Sequence, residues 1–175
     1  MHLHRREFLQ RAALAASTAI WGVPAIAANS KDAARTMLTR AIPRAANGER
    51  LPIIGMGTWN TFDVGSSSEQ RAPLIDVLKA FYEAGARLID SSPMYGQAER
   101  VTGDLVQQLG KRADTFLATK VWTSGRDQGA AQIALSTNLM RAGRLDLMQI
   151  HNLVDWRTHV STLRQLKDAG KVRYT

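Results

Sequence analysis

Cysteine is absent from the sequence, which excludes disulfides, thiolate metal sites and cysteine nucleophiles. No metal site is assigned on other grounds. Low-complexity tracts are also absent. A composition of 45% hydrophobic and 22% charged residues over 175 positions is that of one folded domain with a sizeable core. Acidic residues are comparatively few, 15 against 23 basic ones, for a formal net charge of +8. Such a charge could point to nucleic acid. However, the 17 arginines and 6 lysines are spread along the chain, and no basic run alternates with aromatics. A solvated basic surface is expected instead, with no nucleic-acid partner.

The N-terminal stretch "HRREFLQRAALAASTAIWGVPAIAAN" places paired arginines before a mostly apolar run, Ala12 to Val23, which ends near Ala25-Ile26-Ala27. A basic start, an apolar middle and small residues at the end form the layout of a secretory signal. The run is too short and too alanine-rich for a comfortable membrane span. "RREFL" resembles the twin-arginine motif, which addresses proteins exported already folded. The expectation is therefore a signal peptide over 1–27, a polar linker over 28–36 and the folded domain over 37–175. The partner would be the twin-arginine export machinery, the destination periplasmic or extracellular, and no stable membrane span would remain after cleavage. Cleavage after Ala27 removes three arginines and one glutamate, leaving +6.

Beyond the linker the sequence predicts a hairpin: a strand around Met37 to Ile42, a turn at Asn47-Gly48 and a second strand from Arg50. "PIIGMG" continues as an apolar strand. Strand and helix patterns then alternate. Leu74, Val77, Leu78 and Phe81 mark a first helix before Gly85. Val101, Leu105, Val106 and Leu109 mark a second before Gly110. A third is expected from Gln128 to Ala142, with Ile133, Leu135 and Leu139 packing, and a fourth carries Val160, Leu163 and Leu166. "ARLID", "TFLATKVW", "LDLMQIH" and "KVRYT" are the strands between and after them. This repetition predicts a parallel sheet covered by helices, either doubly wound or a TIM barrel. "GMGTWN" lacks the third glycine of a dinucleotide-binding turn, and no helix follows it directly, which favours the barrel.

Polar residues gather where these strands stop. Asp90 ends the second, Lys120 lies near the end of the third, His151 ends the fourth, and Tyr95 follows Asp90 by five positions. In a parallel α/β fold these ends share one rim. Taken singly, each has a structural explanation; four on consecutive strand ends do not. A phenol titrates near 10. A neighbouring ammonium lowers that value, and a carboxylate keeps the ammonium charged and placed. Such a relay makes a general acid for an oxyanion. An imidazole beside it could orient a carbonyl, which suits C=O reduction if a hydride comes from elsewhere.

From about Met37 onward the chain resembles the aldo-keto reductases, a (β/α)8 barrel family that uses NADPH. The likeness rests on the hairpin, "LPIIGMGTW", Asp90 with the "SSPMYG" that follows it, "TKVW" and "DLMQIHN". The resemblance implies Tyr95 as proton donor, Lys120 as the residue that lowers its pKa, Asp90 as the partner of Lys120, and His151 as the orienter of the carbonyl. It also implies cofactor contacts from Gly57, Thr58, Trp59 and Asp90, and substrate contacts from Trp59 and His151. The substrate would be a small aldehyde or ketone, and the cofactor NADPH, with NADH as the alternative. Asn152 stands where many members carry tryptophan. The fold normally needs roughly 250 residues, so an incomplete barrel is expected: the hairpin, four strand–helix units and the start of a fifth strand. Such a half-barrel would aggregate or dimerise, bind NADPH weakly or not at all, and lack appreciable activity. Two other readings are a non-catalytic binding module and a barrel enzyme using Lys120 as a Schiff-base amine.

Overall fold

The structure is a computed structural model and describes residues 37–175. The signal-peptide and linker readings, over 1–27 and 28–36, lie outside the described residues. Two short antiparallel strands come first, β1 (Thr39–Ala41) and β2 (Arg50–Pro52), with Arg40 opposite Leu51. Gly48 takes φ 66° in the loop between them, where asparagine and glycine marked the turn. Then follow β3 (Gly55–Gly57), α1 (Ser68–Glu83), β4 (Leu88–Asp90), α2 (Ala98–Gln108), β5 (Phe116–Val121), α3 (Arg126–Leu139), β6 (Leu145–Ile150), α4 (Trp156–Asp168) and β7 (Val172–Tyr174).

The five strands β3 to β7 lie side by side in chain order, every pair parallel. A doubly wound sheet reverses its order at a switch point, whereas a barrel wall adds each strand beside the last. Among the described strands the order never reverses, so they form part of a (β/α)8 barrel wall. Side chains alternate faces along a strand. In β5 that alternation turns Thr119 towards the helices and Lys120 towards the barrel interior.

Ile89, Leu117 and Met148 from the strands pack with Leu78, Val101, Leu105 and Met140 into one fully buried core. Gly55 permits the tight β3–β4 approach, because a Cβ there would lie 2.8 Å from Leu88 Cδ2. The hairpin is tied to the last strand through Glu49, which accepts from Tyr174 Oη at 2.7 Å and from the Arg173 guanidinium. Arg173 also donates to the buried Asp146 at 2.6 Å, and Asp146 accepts from Leu117 N at 2.8 Å.

Some sequence expectations shift. Helix α3 runs two residues earlier than expected at its start and ends three earlier, with Arg141 (φ 49°) and Gly143 (φ 64°) turning the chain. Val77 and Leu135, expected to pack, are 46% and 56% exposed. Apolar identity alone misled there. The buried stripe of α3 is Gly129, Ile133 and Ser136, one face at helical spacing, and Leu135 lies off it.

Candidate active site

Asp90 is the last residue of β4 and Lys120 the penultimate residue of β5. Pairing of Asp90 with Ala118 and of Lys120 with Gln149 puts all these positions on the interior face. Lys120 Nζ donates to Asp90 Oδ2 at 2.5 Å and to the Ser91 carbonyl at 2.7 Å. Its side chain is only 13% exposed, against 30% for that of Asp90, so the ammonium is the better shielded partner. The other carboxylate oxygen, Asp90 Oδ1, accepts from Gln149 Nε2 at 2.9 Å. Asp90 is therefore held at both oxygens, and its rotamer fixes the position of the ammonium.

Beyond Asp90 the chain turns through "SSPMYG". Tyr95 N donates to the Ser92 carbonyl at 3.0 Å, and Gly96 takes φ 57°. This turn brings the Tyr95 ring under the other two groups. Lys120 Nζ lies 5.3 Å from its centroid, and the His151 ring stands edge-on to it at 5.7 Å and 82°. All four sequence-predicted residues thus converge on the rim. The two bonds of Lys120 go to Asp90 and Ser91, and its Nζ faces the Tyr95 ring.

His151 follows β6 directly and opens a short 3-10 turn. Asn152 and Leu153 adopt φ of 52° and 56°, and Asp155 44°, so three non-glycine residues sit in the left-handed region beside the site. Asparagine tolerates that conformation well. Burial and the Lys120 charge push the His151 imidazole below its ordinary value, with Asp90 opposing. Both effects favour the neutral ring.

The loop after β5 is fastened along its length. Gln132 Oε1 accepts from Trp122 N at 2.6 Å, and Gln132 Nε2 donates to Trp122 O at 3.2 Å. His159 Nε2 lies 2.7 Å from Thr123 O, and Asp155 Oδ2 accepts from Gly125 N at 2.8 Å. The last bond is the main reason the Asp155 carboxyl sits below its usual range. These tethers present Trp122 to the site, 6.4 Å from the His151 ring.

Besides Asp90, the three other residues expected at the cofactor are placed differently from one another. Gly57 is paired with Asp90, and a Cβ on it would meet nothing within 4 Å. Trp59 is 63% exposed. Thr58 is fully buried, with Oγ1 2.9 Å from Ser91 Oγ and 3.2 Å from Asp90 O, so its hydroxyl braces the β4 end.

Sequence reasoning did not single out Ser92, Gln149, Trp122 or Glu99. Gln149 carried a signal, being a polar residue on the interior parity of an apolar strand. Glu99, on α2, is a buried carboxylate that accepts from Thr119 Oγ1 at 2.6 Å and Ser136 Oγ at 3.0 Å. Burial pushes its carboxyl up, against those hydroxyls and Lys120. It anchors the residue next to Lys120 from the helix side.

The sequence profile of the Aldo/keto reductase family matches residues 53–175. Aldo-keto reductase YhdN of Bacillus subtilis is 29% identical over 135 residues, covering 69% of this chain and 41% of that protein. Methylglyoxal reductase YeaE of Escherichia coli is 32% identical over 129 residues, covering 70% and 44%. A crystal structure of an aldo-keto reductase from Klebsiella pneumoniae in complex with NADPH superposes with a TM-score of 0.62 at 26% identity, covering 79% of this chain and 49% of the other. The chain spans less than half the length of these curated relatives.

Proposed function

The chain belongs to the aldo/keto reductase family, and from that premise we propose that it reduces an aldehyde or ketone to an alcohol with NADPH, Tyr95 giving the proton. The observation that carries this reading is the convergence of Asp90, Lys120, Tyr95 and His151 on one rim. Among the described residues neither Tyr95 Oη nor His151 Nε2 has a hydrogen-bond partner, so both are available to one external oxygen.

The rim also suits the cofactor. The open side of Gly57 leaves room beside Asp90, and exposed Trp59 offers an aromatic face. Gly57, Trp59 and Asp90 would line the nicotinamide side, with Thr58 acting through the backbone it braces. NADPH, where bound, would supply a hydride to a carbonyl carbon. The Tyr95 hydroxyl would give its proton to the carbonyl oxygen as the carbonyl π pair moves there. Lys120 favours the phenolate left behind. A neutral His151 donates from Nε2 to the same oxygen and fixes the carbonyl direction. Trp122, 6.4 Å from the His151 ring and partly exposed, adds apolar surface beside the site, which suits a small organic carbonyl. Methylglyoxal, from which the Escherichia coli relative takes its name, is one carbonyl compound to include.

Lys120 is poorly placed for Schiff-base chemistry. Its protons go to a carboxylate and a carbonyl, whereas a nucleophilic amine is normally desolvated and unpaired.

Half a barrel is expected to lack appreciable activity, so the test is NADPH oxidation, with a panel of aldehydes and ketones, by these residues in a chain completed to full barrel length. Carbonyl-dependent oxidation with equimolar alcohol is expected. NADPH binding without turnover on any carbonyl would favour a binding module instead.

We propose in addition that residues 1–27 direct export by the twin-arginine route to the periplasm or beyond. The paired Arg5 and Arg6 before the apolar run support this. Replacing both with lysine is expected to abolish export of a reporter fusion. Unchanged export would leave an ordinary secretory signal or an anchor.

A further inference from the structure

We propose that Ser92 is a positioning residue that sets the tautomer of His151, its hydroxyl donating to Nδ1 so that the imidazole proton resides on Nε2. Ser92 Oγ lies 2.6 Å from His151 Nδ1, across 59 positions of sequence. The hydroxyl is fully buried, so every proton and lone pair in this contact must find its partner locally.

Two groups touch Ser92 Oγ. Besides the imidazole, Met94 N lies 3.2 Å away. An amide can only donate, so it occupies a lone pair of the oxygen. The hydroxyl proton then needs an acceptor, and Nδ1 is the one within reach among the described residues. If instead Nδ1 carried the proton and donated to Oγ, the oxygen would accept twice and its own buried proton would have no acceptor. Full satisfaction therefore selects one arrangement: Met94 N–H to Oγ, Ser92 O–H to Nδ1, and the imidazole proton on Nε2. Shielding from water and the Lys120 charge keep the ring neutral, as this arrangement requires.

The device also fixes the plane of the ring. With Nδ1 anchored on the turn that leads to Tyr95, imidazole and phenol are mounted on one short segment. Their edge-on relation at 82° is then a consequence of that turn. Ser92 comes two residues after Asp90 and three before Tyr95, so the single short stretch from Asp90 to Gly96 carries the acid, the proton donor and the tautomer control. Asparagine at 152, in the left-handed region, lets the chain turn away at once behind the ring.

The importance of this for carbonyl reduction rests on the function proposed above. The statement about the ring itself does not, and it is tested without turnover. Uniformly 15N-labelled protein at about pH 8, above the ordinary histidine range, is studied by two-bond proton–nitrogen correlation of the imidazoles. A His151→Gln spectrum identifies the signals. In the parent, His151 is expected to show a protonated Nε2 and a hydrogen-bonded, unprotonated Nδ1. In Ser92→Ala the Nδ1 resonance is expected to move downfield as its donor is lost. Ser92→Cys, nearly isosteric with a weak S–H donor, is expected to fall between. A proton found on Nδ1 in the parent overturns the proposal, and so does an Nδ1 resonance that stays put in both variants. Absence of reductase activity in a chain completed to full barrel length, with the expected ring signals in the parent, would sink the function and leave the tautomer assignment standing.

Discussion

In a chain completed to full barrel length, Tyr95→Phe is expected to slow carbonyl reduction by a factor of about 10²–10⁴, the usual contribution of a positioned general acid, with NADPH affinity nearly unchanged. The phenyl ring keeps the edge-on contact with His151 and the approach of Lys120 to the ring face. What disappears is the hydroxyl alone. The hydride then arrives at a carbon whose oxygen has no proton donor, and His151 by itself can only hydrogen-bond the developing charge. Steady-state kinetics and a cofactor titration on the same preparation separate the two effects. A variant that reduces a simple aldehyde at the parent rate would remove Tyr95 from the mechanism.

Gly103→Ala is expected to destabilise the folded domain by about 1–3 kcal/mol or more, the usual range for overpacking. Gly103 lies on α2 where that helix meets the end of α3. A Cβ there would collide with Leu139 O and sit 2.6 Å from Met140 C and 2.7 Å from Met140 Cα. All three are backbone atoms, so no side chain can swing aside and the helices must separate. The sign is informative. Helix propensity alone would make the alanine more stable by about 1 kcal/mol. Urea unfolding decides: a lower midpoint identifies the close crossing, whereas a higher one would mean the helices have slack there.

The fold was legible because its units announce themselves locally. Glycine stops, helical apolar spacing and short apolar strands marked each strand–helix unit, and the missing third glycine in "GMGTWN" argued against a dinucleotide-binding turn. The strand order, which separates a barrel wall from a doubly wound sheet, is a matter of long-range pairing and became visible only in the structure. The four rim residues were legible for a related reason. In a parallel sheet, strand ends meet whatever their separation in sequence, so Asp90, Lys120 and His151 could be brought together on paper.

The residues that hold them in place were harder to see. Gln149 reaches Asp90 only because β6 sits in register with β5, pairing Gln149 with Lys120. Ser92 reaches His151 through the particular path of one turn. Thr58 reads as a loop residue in sequence, yet it is fully buried and spends its hydroxyl on the end of β4. Leu135 shows the opposite failure, an apolar residue on the solvent side of α3. Each of these depends on register or on the rotation of a helix, neither of which a single sequence states.

The most direct measurement of the central claim follows the hydride. NADPH carrying deuterium at the transferable position of nicotinamide C4 is incubated with the chain completed to full barrel length and an aldehyde, and the alcohol is analysed by mass spectrometry and NMR. One deuterium per molecule at the former carbonyl carbon is expected, with none incorporated at that carbon when unlabelled NADPH is used in D2O. Alcohol that carries solvent deuterium at carbon, or forms without label from the cofactor, would contradict hydride transfer at this site.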